Sequence, residues 1–255
     1  MANYPQLDNS SGVWNLRDVY DAVMGGYWPN YNAIAVFNHG RSGGALIEKI
    51  TMSTNGNATV FGDATLSKVY IANGGMGSFT RGLFAGGTPG GSVDTIDYIT
   101  FSTDGNAADF GNLTVARGQV GAGSNSVRGI TAGGSTPSRV NTIDYVTIAS
   151  TGNATDFGDA TVSRNEIAPM FSPTRGCFAG GRTPTVLNTI DFVEISTTGN
   201  ATDFGDLSVA TSTAGGAASS VRGVVAGGFS PSLTSVAQFI TMASQGNATD
   251  FGNLT

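Results

Sequence analysis

Four Asp-Phe-Gly triplets, beginning at Asp109, Asp156, Asp203 and Asp250, come closest to a catalytic element in this sequence. In a kinase such an Asp holds magnesium, but it acts with a glycine-rich phosphate loop, a strand lysine and a His-Arg-Asp loop. None of these accompanies it here. A second recurring acid lies in Ile-Asp-aromatic at Asp97, Asp144 and Asp191, with Glu48 at the matching place upstream. These acids are expected to bond loop amides or pair with a repeated Arg. Glycoside hydrolysis needs two converging carboxylates, whereas the three glutamates, Glu48, Glu166 and Glu194, form no evident pair. His39 is the single histidine and Cys177 the single cysteine. A multi-histidine metal site, a nucleophile with a histidine base and an intrachain disulfide are therefore excluded. Cys177 aligns with Leu83, Ile130 and Val224 in sister segments and reads as a small buried hydrophobe. The expectation is a protein that is not an enzyme and needs no cofactor or metal.

The elements that carry these residues are repeats. Gly-Asn-Ala begins at Gly56, Gly105, Gly152, Gly199 and Gly246, and Arg-Gly begins at Arg81, Arg128, Arg175 and Arg222. Ala-Gly-Gly follows each Arg-Gly, at Ala85, Ala132, Ala179 and Ala226. The spacing is 47 residues, once 49, so five copies fill nearly all 255 residues. A period of about 40 to 50 residues signals a propeller or a solenoid. Within a unit, Gly82–Ala85 and Thr95–Phe101 are short β-branched and aromatic runs without helical period. The Gly-Asn segments supply a hairpin turn, and the sequons at Asn57, Asn153, Asn200 and Asn247 are by-products of it. A weaker Gly- and Ala-rich strand between Arg117 and Ser126 makes four per unit. Adjacent apolar residues such as Tyr98 and Ile99 cover both faces of each sheet, as radially stacked sheets require. The predicted fold class is all-β, a five-bladed β-propeller with four-stranded blades. Residues 22–255 would form it, and residues 1–21 would form an N-terminal attachment or closure segment.

Gly86-Gly87, Tyr98, Phe110, Leu113 and Arg117, repeated as Gly133-Gly134, Tyr145, Phe157 and Arg164, resemble the kelch repeat. Phe stands where that family usually has Trp, and Thr211 stands where its Arg would fall. The unit consensus, Arg-Gly-x-Phe-Ala-Gly-Gly, Ile-Asp-Tyr and Gly-Asn-Ala-Thr-Asp-Phe-Gly-Asp, also resembles repeats in virion and tail proteins of marine, cyanophage-like bacteriophages. That likeness covers roughly residues 34 to 255. It implies a structural protein of a phage tail or surface appendage, a tail fiber or adhesin acting in host attachment. Its expected location is the virion, and its partners would be other virion proteins and a host cell-surface glycan or protein. It would be oligomeric within the particle. The period and copy number are shared with tachylectin-like animal lectins, whose sequence motifs are absent. A lectin-like carbohydrate-binding propeller is the alternative reading, and a glycoside hydrolase the weakest.

On such a scaffold three groups of residues are candidates for binding. Arg81, Arg128, Arg175 and Arg222 would encircle the axis and could hold an anion among them; alternatively each bonds an Asp or backbone carbonyls of its own or the next blade. The loops after Gly-Gly share one face with the links between blades, opposite the uniform Gly-Asn turns. They vary between copies and carry Arg41, Thr88, Pro89, Arg139, Arg182, Pro184 and Phe229. Varied loops on a rigid scaffold are where binding usually resides. In the N-terminal segment, Asn15 to Gly26 reads as a short helix whose apolar face is Leu16, Val19, Tyr20 and Val23. With Trp14, Leu16, Val19 and Tyr20 are the candidate attachment residues. Composition sets the remaining bounds. Charged residues make up 12% of the chain against a usual share of about 25%, and the net charge of −6 argues against nucleic acid as a partner. No apolar run is long enough to insert in a membrane, and the polar start lacks the pattern of a signal peptide.

Overall fold

The computed structural model describes residues 34–38, 44–70, 73–88 and 90–255. Among these residues every regular element is a strand. The predicted helix at Asn15–Gly26 and the boundary after residue 21 lie outside the described residues. So do Trp14, Leu16, Val19, Tyr20, His39, Arg41 and Pro89. The chain divides into two compact units, Met1–Phe37 with Glu48–Val60, and Asn38–Ile47 with Phe61–Thr255. In the first unit, Thr54 N closes a turn on Thr51 O at 3.3 Å. The first repeat contributes the strands Ile34–Asn38, Gly44–Thr51 and Thr59–Lys68.

The second unit holds four antiparallel sheets of four strands, each a simple meander. They are named here by the aromatic on their third strand. The Tyr98 sheet is built from Met76–Gly77, Arg81–Ala85, Thr95–Thr100 and Ala108–Asn112. The Tyr145 sheet uses Gly121–Ser124, Arg128–Ala132, Thr142–Thr147 and Thr155–Asp159. The Phe192 sheet runs Ala168–Phe171, Arg175–Ala179, Thr189–Glu194 and Thr202–Asp206. The Phe239 sheet runs Gly215–Ala218, Arg222–Ala226, Val236–Thr241 and Thr249–Asn253. The weak Gly- and Ala-rich strand between Arg117 and Ser126 is thus the first strand of the Tyr145 sheet, and each other sheet has a strand at that place. Successive sheets pack face on face in a propeller-like arrangement.

The third strand shows why both faces are apolar. In Thr142–Thr147, Ile143, Asp144 and Val146 are all buried. Ile130, Ile143 and Phe157 of the Tyr145 sheet share one core cluster with Phe178 and Val193 of the Phe192 sheet. Fully burying each such side chain contributes about 1.5–3 kcal/mol. A bulge aims Phe157 into this layer: Ile143 pairs with Gly158 and Asp144 with Asp156, so Phe157 has no partner across the ladder. It meets Tyr145 edge-on, with centroids 5.8 Å apart. The same bulge recurs in each of the four sheets. Phe110, Phe157 and Phe204 are at most 3% exposed. Phe251, the fourth copy, is 56% exposed, since no later sheet of the unit covers it.

Glycine permits two close approaches. Gly133 has φ 63°, and a Cβ there would lie 2.3 Å from the carbonyl oxygen of Arg164 in the next link. At Gly158 a Cβ would lie 2.5 Å from the backbone of Gly199, in the Gly-Asn turn of the following sheet. That turn is more than a hairpin end. Asn153, Asn200 and Asn247 each accept, through Oδ1, the backbone N–H of Asn112, Asp159 and Asp206 at 3.0–3.1 Å. The sequon asparagines therefore hold each turn to the edge strand of the preceding sheet.

Candidate functional site

Two sides of the second unit have different chemistry. The Gly-Asn turns are alike from sheet to sheet. The connections between second and third strands differ, and in three sheets they carry a two-stranded ribbon around a proline. The ribbons are Ser135–Thr136 with Ser138–Arg139, Arg182–Thr183 with Thr185–Val186, and Phe229–Ser230 with Ser232–Leu233. The sequence suggested plain loops here; pairing such as Ser135 with Arg139 across Pro137 makes them ordered hairpins. Each ribbon is fixed to a link by a β-bridge, Gly118 to Ser135, Asn165 to Arg182 and Ser212 to Phe229.

Beside the ribbons, the links that start the first strands hold four non-glycine residues in the left-handed region. Tyr70, Gln119, Glu166 and Thr213 have φ of 52–58°. Such a conformation costs about 1–2 kcal/mol per residue. It persists here because it aligns a relay of backbone bonds: Gln119 N–H to Tyr70 O at 2.8 Å, Glu166 N–H to Gln119 O at 3.2 Å, and Thr213 N–H to Glu166 O at 3.1 Å. Nearby, Asn73 donates through Nδ2 to Ile167 O at 2.8 Å and to Ala214 O at 3.1 Å. One amide thus ties links from two other repeats.

Between the 135–139 and 182–186 ribbons lies a polar groove of about 560 Å3. It is lined by Gln119, Ser135, Pro137, Ser138, Arg139, Ser163, Asn165 and Thr183. Its side chains hold one another. Gln119 Oε1 accepts from Asn165 Nδ2 at 2.8 Å and from Ser135 Oγ at 3.1 Å. Arg139 Nε donates to Asn165 Oδ1 at 3.1 Å, and Gln119 Nε2 donates to Glu166 Oε1 at 3.5 Å. Asn165 is 5% exposed, so its amide is a fixed wall rather than a mobile arm. The neighbouring groove, about 600 Å3, has Val69, Thr88, Gly90, Gly91, Ser92, Thr136 and Pro137 on its walls. It offers small side chains and no formal charge.

Of the residues singled out in the sequence, Arg139 alone contributes its side chain to the polar groove. Thr88 lies in the neighbouring one, and Arg182, Pro184 and Phe229 belong to the other ribbons. Sequence reasoning missed Gln119, Ser163 and Asn165. They sit in links between sheets, and only the fold brings them against a ribbon.

Arg81, Arg128, Arg175 and Arg222 have the same local surroundings in each sheet. Each guanidinium lies 4.7–5.0 Å over the ring of its own sheet's third strand, Tyr98, Tyr145, Phe192 or Phe239. The first three also donate to a carbonyl of the following sheet, at Ile148, Ile195 and Met242. Arg175 adds an ion pair with Glu194 at 2.6 Å. All four cations thus serve in stacking, and the first three also in joining sheets.

The Ile-Asp-aromatic acids are buried in ion pairs between sheets. Asp97 pairs with Lys68, Asp144 with Arg117 and Asp191 with Arg164, each at 3.0 Å. A threonine hydroxyl completes each carboxylate, from the strand Thr59–Lys68 at Thr65 and from the preceding links at Thr114 and Thr161. Burial lowers the pKa of Arg117 and Arg164, and the facing carboxylates oppose that shift. Two of the Asp-Phe-Gly acids act locally: Asp109 Oδ1 accepts from Gly111 N–H at 3.1 Å and Asp250 Oδ1 from Gly252 N–H at 3.2 Å. Cys177 is buried, and desolvation pushes its thiol up to about 12. Among the described residues no cluster of three or more His, Cys, Asp or Glu could hold a metal, and no helix is long and apolar enough to cross a membrane.

No family model matches the chain, and no curated protein sequence matches it.

Proposed function

We propose that this chain is a five-bladed, kelch-like propeller that serves as a non-enzymatic structural protein of a bacteriophage virion. In this reading it is a tail or surface appendage whose ribbon side contacts the host surface or another virion protein. One observation carries the contact role: a scaffold that repeats in stacking, bulge and turn presents, on one side only, ribbons whose first and last residues differ from copy to copy while their Ser/Thr-Pro-Ser/Thr centres repeat. Arg139, Arg182 and Phe229 stand there among Ser, Thr and Pro, in ordered hairpins that cost little further entropy on binding. The virion setting rests on the likeness of the repeats to cyanophage-like proteins. Mass spectrometry of purified particles, with labelled antibody against the ribbons in electron micrographs, tests it. Recovery of the chain at stoichiometric level on the particle surface is expected. Its absence from particles would sink the virion reading.

A lectin-like role is the second reading, favoured by the polar groove beside Arg139. Fixed amides and several hydroxyls in a cavity of this size suit a sugar. A glycan array probed at high protein concentration is expected to give a small set of related binders; a blank array would remove this reading.

A further inference from the structure

We propose that the groove beside Arg139 binds an acidic sugar, one that carries a carboxylate next to free hydroxyls. The proposal rests on reading the ribbon side as the contact surface.

The hydrogen bonds indicate what the groove still lacks. Arg139 spends Nε on Asn165, while its two terminal nitrogens have no partner among the described residues. Their parallel N–H groups match the two oxygens of a carboxylate. The hydroxyls of Ser138, Ser163 and Thr183 line the same cavity and are likewise without a partner there. Gln119 and Asn165 are already oriented by each other, so a ligand would meet a prearranged wall. The groove has no aromatic side chain on which a base could stack, which disfavours a nucleotide. About 560 Å3 suits one or two sugar rings.

The repeats supply an internal control. Positions equivalent to Arg139 hold Ser92, Val186 and Leu233. Those equivalent to Asn165 hold Gly118 and Ser212, and those equivalent to Ser163 hold Ala116 and Ala210. The sister sheets form without this polar set, so the fold does not require it. Its coincidence in one groove calls for a ligand. Glu166 is the one carboxylate in the hydrogen-bonded network, and Gln119 Nε2 is beside it.

The test is an amide NMR titration of the full chain with sodium glucuronate, glucose and inorganic phosphate as probes. Glucuronate is expected to shift the Ser138, Arg139 and Asn165 amides saturably in the millimolar range, with glucose at least tenfold weaker and phosphate not saturating. Arg139→Val and Asn165→Ser install residues that sister repeats already carry. Each should weaken glucuronate at least tenfold while leaving the melting temperature within a few degrees. Absence of saturable shifts, equal binding of glucose, or unchanged affinity in Arg139→Val overturns the proposal. If glucuronate fails while antibody against the ribbons still blocks attachment of particles to cells, the groove assignment falls and the contact reading stands.

Discussion

Two neighbouring junctions solve one packing problem with opposite chemistry. Between the Tyr145 and Phe192 sheets, Arg164 is fully buried and bonds Asp191 Oδ2 at 3.0 Å, Phe178 O at 2.9 Å and Thr189 O at 3.3 Å. Between the Phe192 and Phe239 sheets the equivalent positions are Thr211 and Gln238. Thr211 Oγ1 bonds Gly227 O at 3.0 Å. Gln238 Oε1 accepts from Ser208 Oγ at 2.8 Å and Val209 N–H at 3.0 Å, and its Nε2 donates to Val209 O at 3.0 Å. Both members of the ion pair have been exchanged together, and the replacements leave no buried charge. The link from 207 to 211 keeps its course either way. A buried ion pair is therefore one solution among several here, in keeping with the near balance between desolvation and Coulomb attraction in such pairs.

The comparison breaks most visibly if one partner is removed. Arg164→Met strands the Asp191 carboxylate and is expected to cost about 3–5 kcal/mol of unfolding free energy in urea titration. Arg164→Thr with Asp191→Gln copies the neutral junction. It should recover most of that loss, so a double mutant as unstable as the single would show that the two junctions are not interchangeable. The core of the neutral junction also holds the Cys177 thiol, within the cluster that contains Met170, Val225 and Met242. Its thiol is raised in the folded chain from 9.0 to about 12. Below pH 9 it is protonated in folded and unfolded chains alike; above that the unfolded chain ionises first. Stability should therefore fall by up to about 1.4 kcal/mol per pH unit between pH 9 and 12. Cys177→Val should flatten that part of the profile in melts at pH 9 to 11, and an identical slope would refute the assignment. The smallest effect is expected at the turns. Asn200→Ala removes the acceptor for Asp159 N–H and should cost about 1 kcal/mol in the same titration, with Asn200→Asp close to wild type.

Much of the second unit was legible because its rules repeat. The spacing of Arg-Gly, Gly-Gly and Gly-Asn marked the strands and turns, and Asp144 and Asp191 pair with Arg117 and Arg164 as a recurring acid and a recurring Arg suggested. Thr211 shows in the sequence as a missing Arg, but its coupling to Gln238 was hidden because 27 positions separate them and neither is charged. The bulge at Phe157 was hidden as well, since a bulge leaves no mark on composition. For Arg81 and its sisters the sequence shows periodicity but not direction, so it left an anion ring and bonding to backbone carbonyls both open. The polar groove draws on residues near 119, 137, 164 and 183, so no local window contains it.

Asn112 to Asn153, Asp159 to Asn200 and Asp206 to Asn247 are all bonds over an offset of 41 residues. At these turns attachment is thus a rule of adjacency, written in each copy and its successor, whereas Asn73 reaches repeats further on. A gene segment encoding one unit could be duplicated and its product would already know how to dock on its neighbours. Lengthening such a chain asks for copying, not invention.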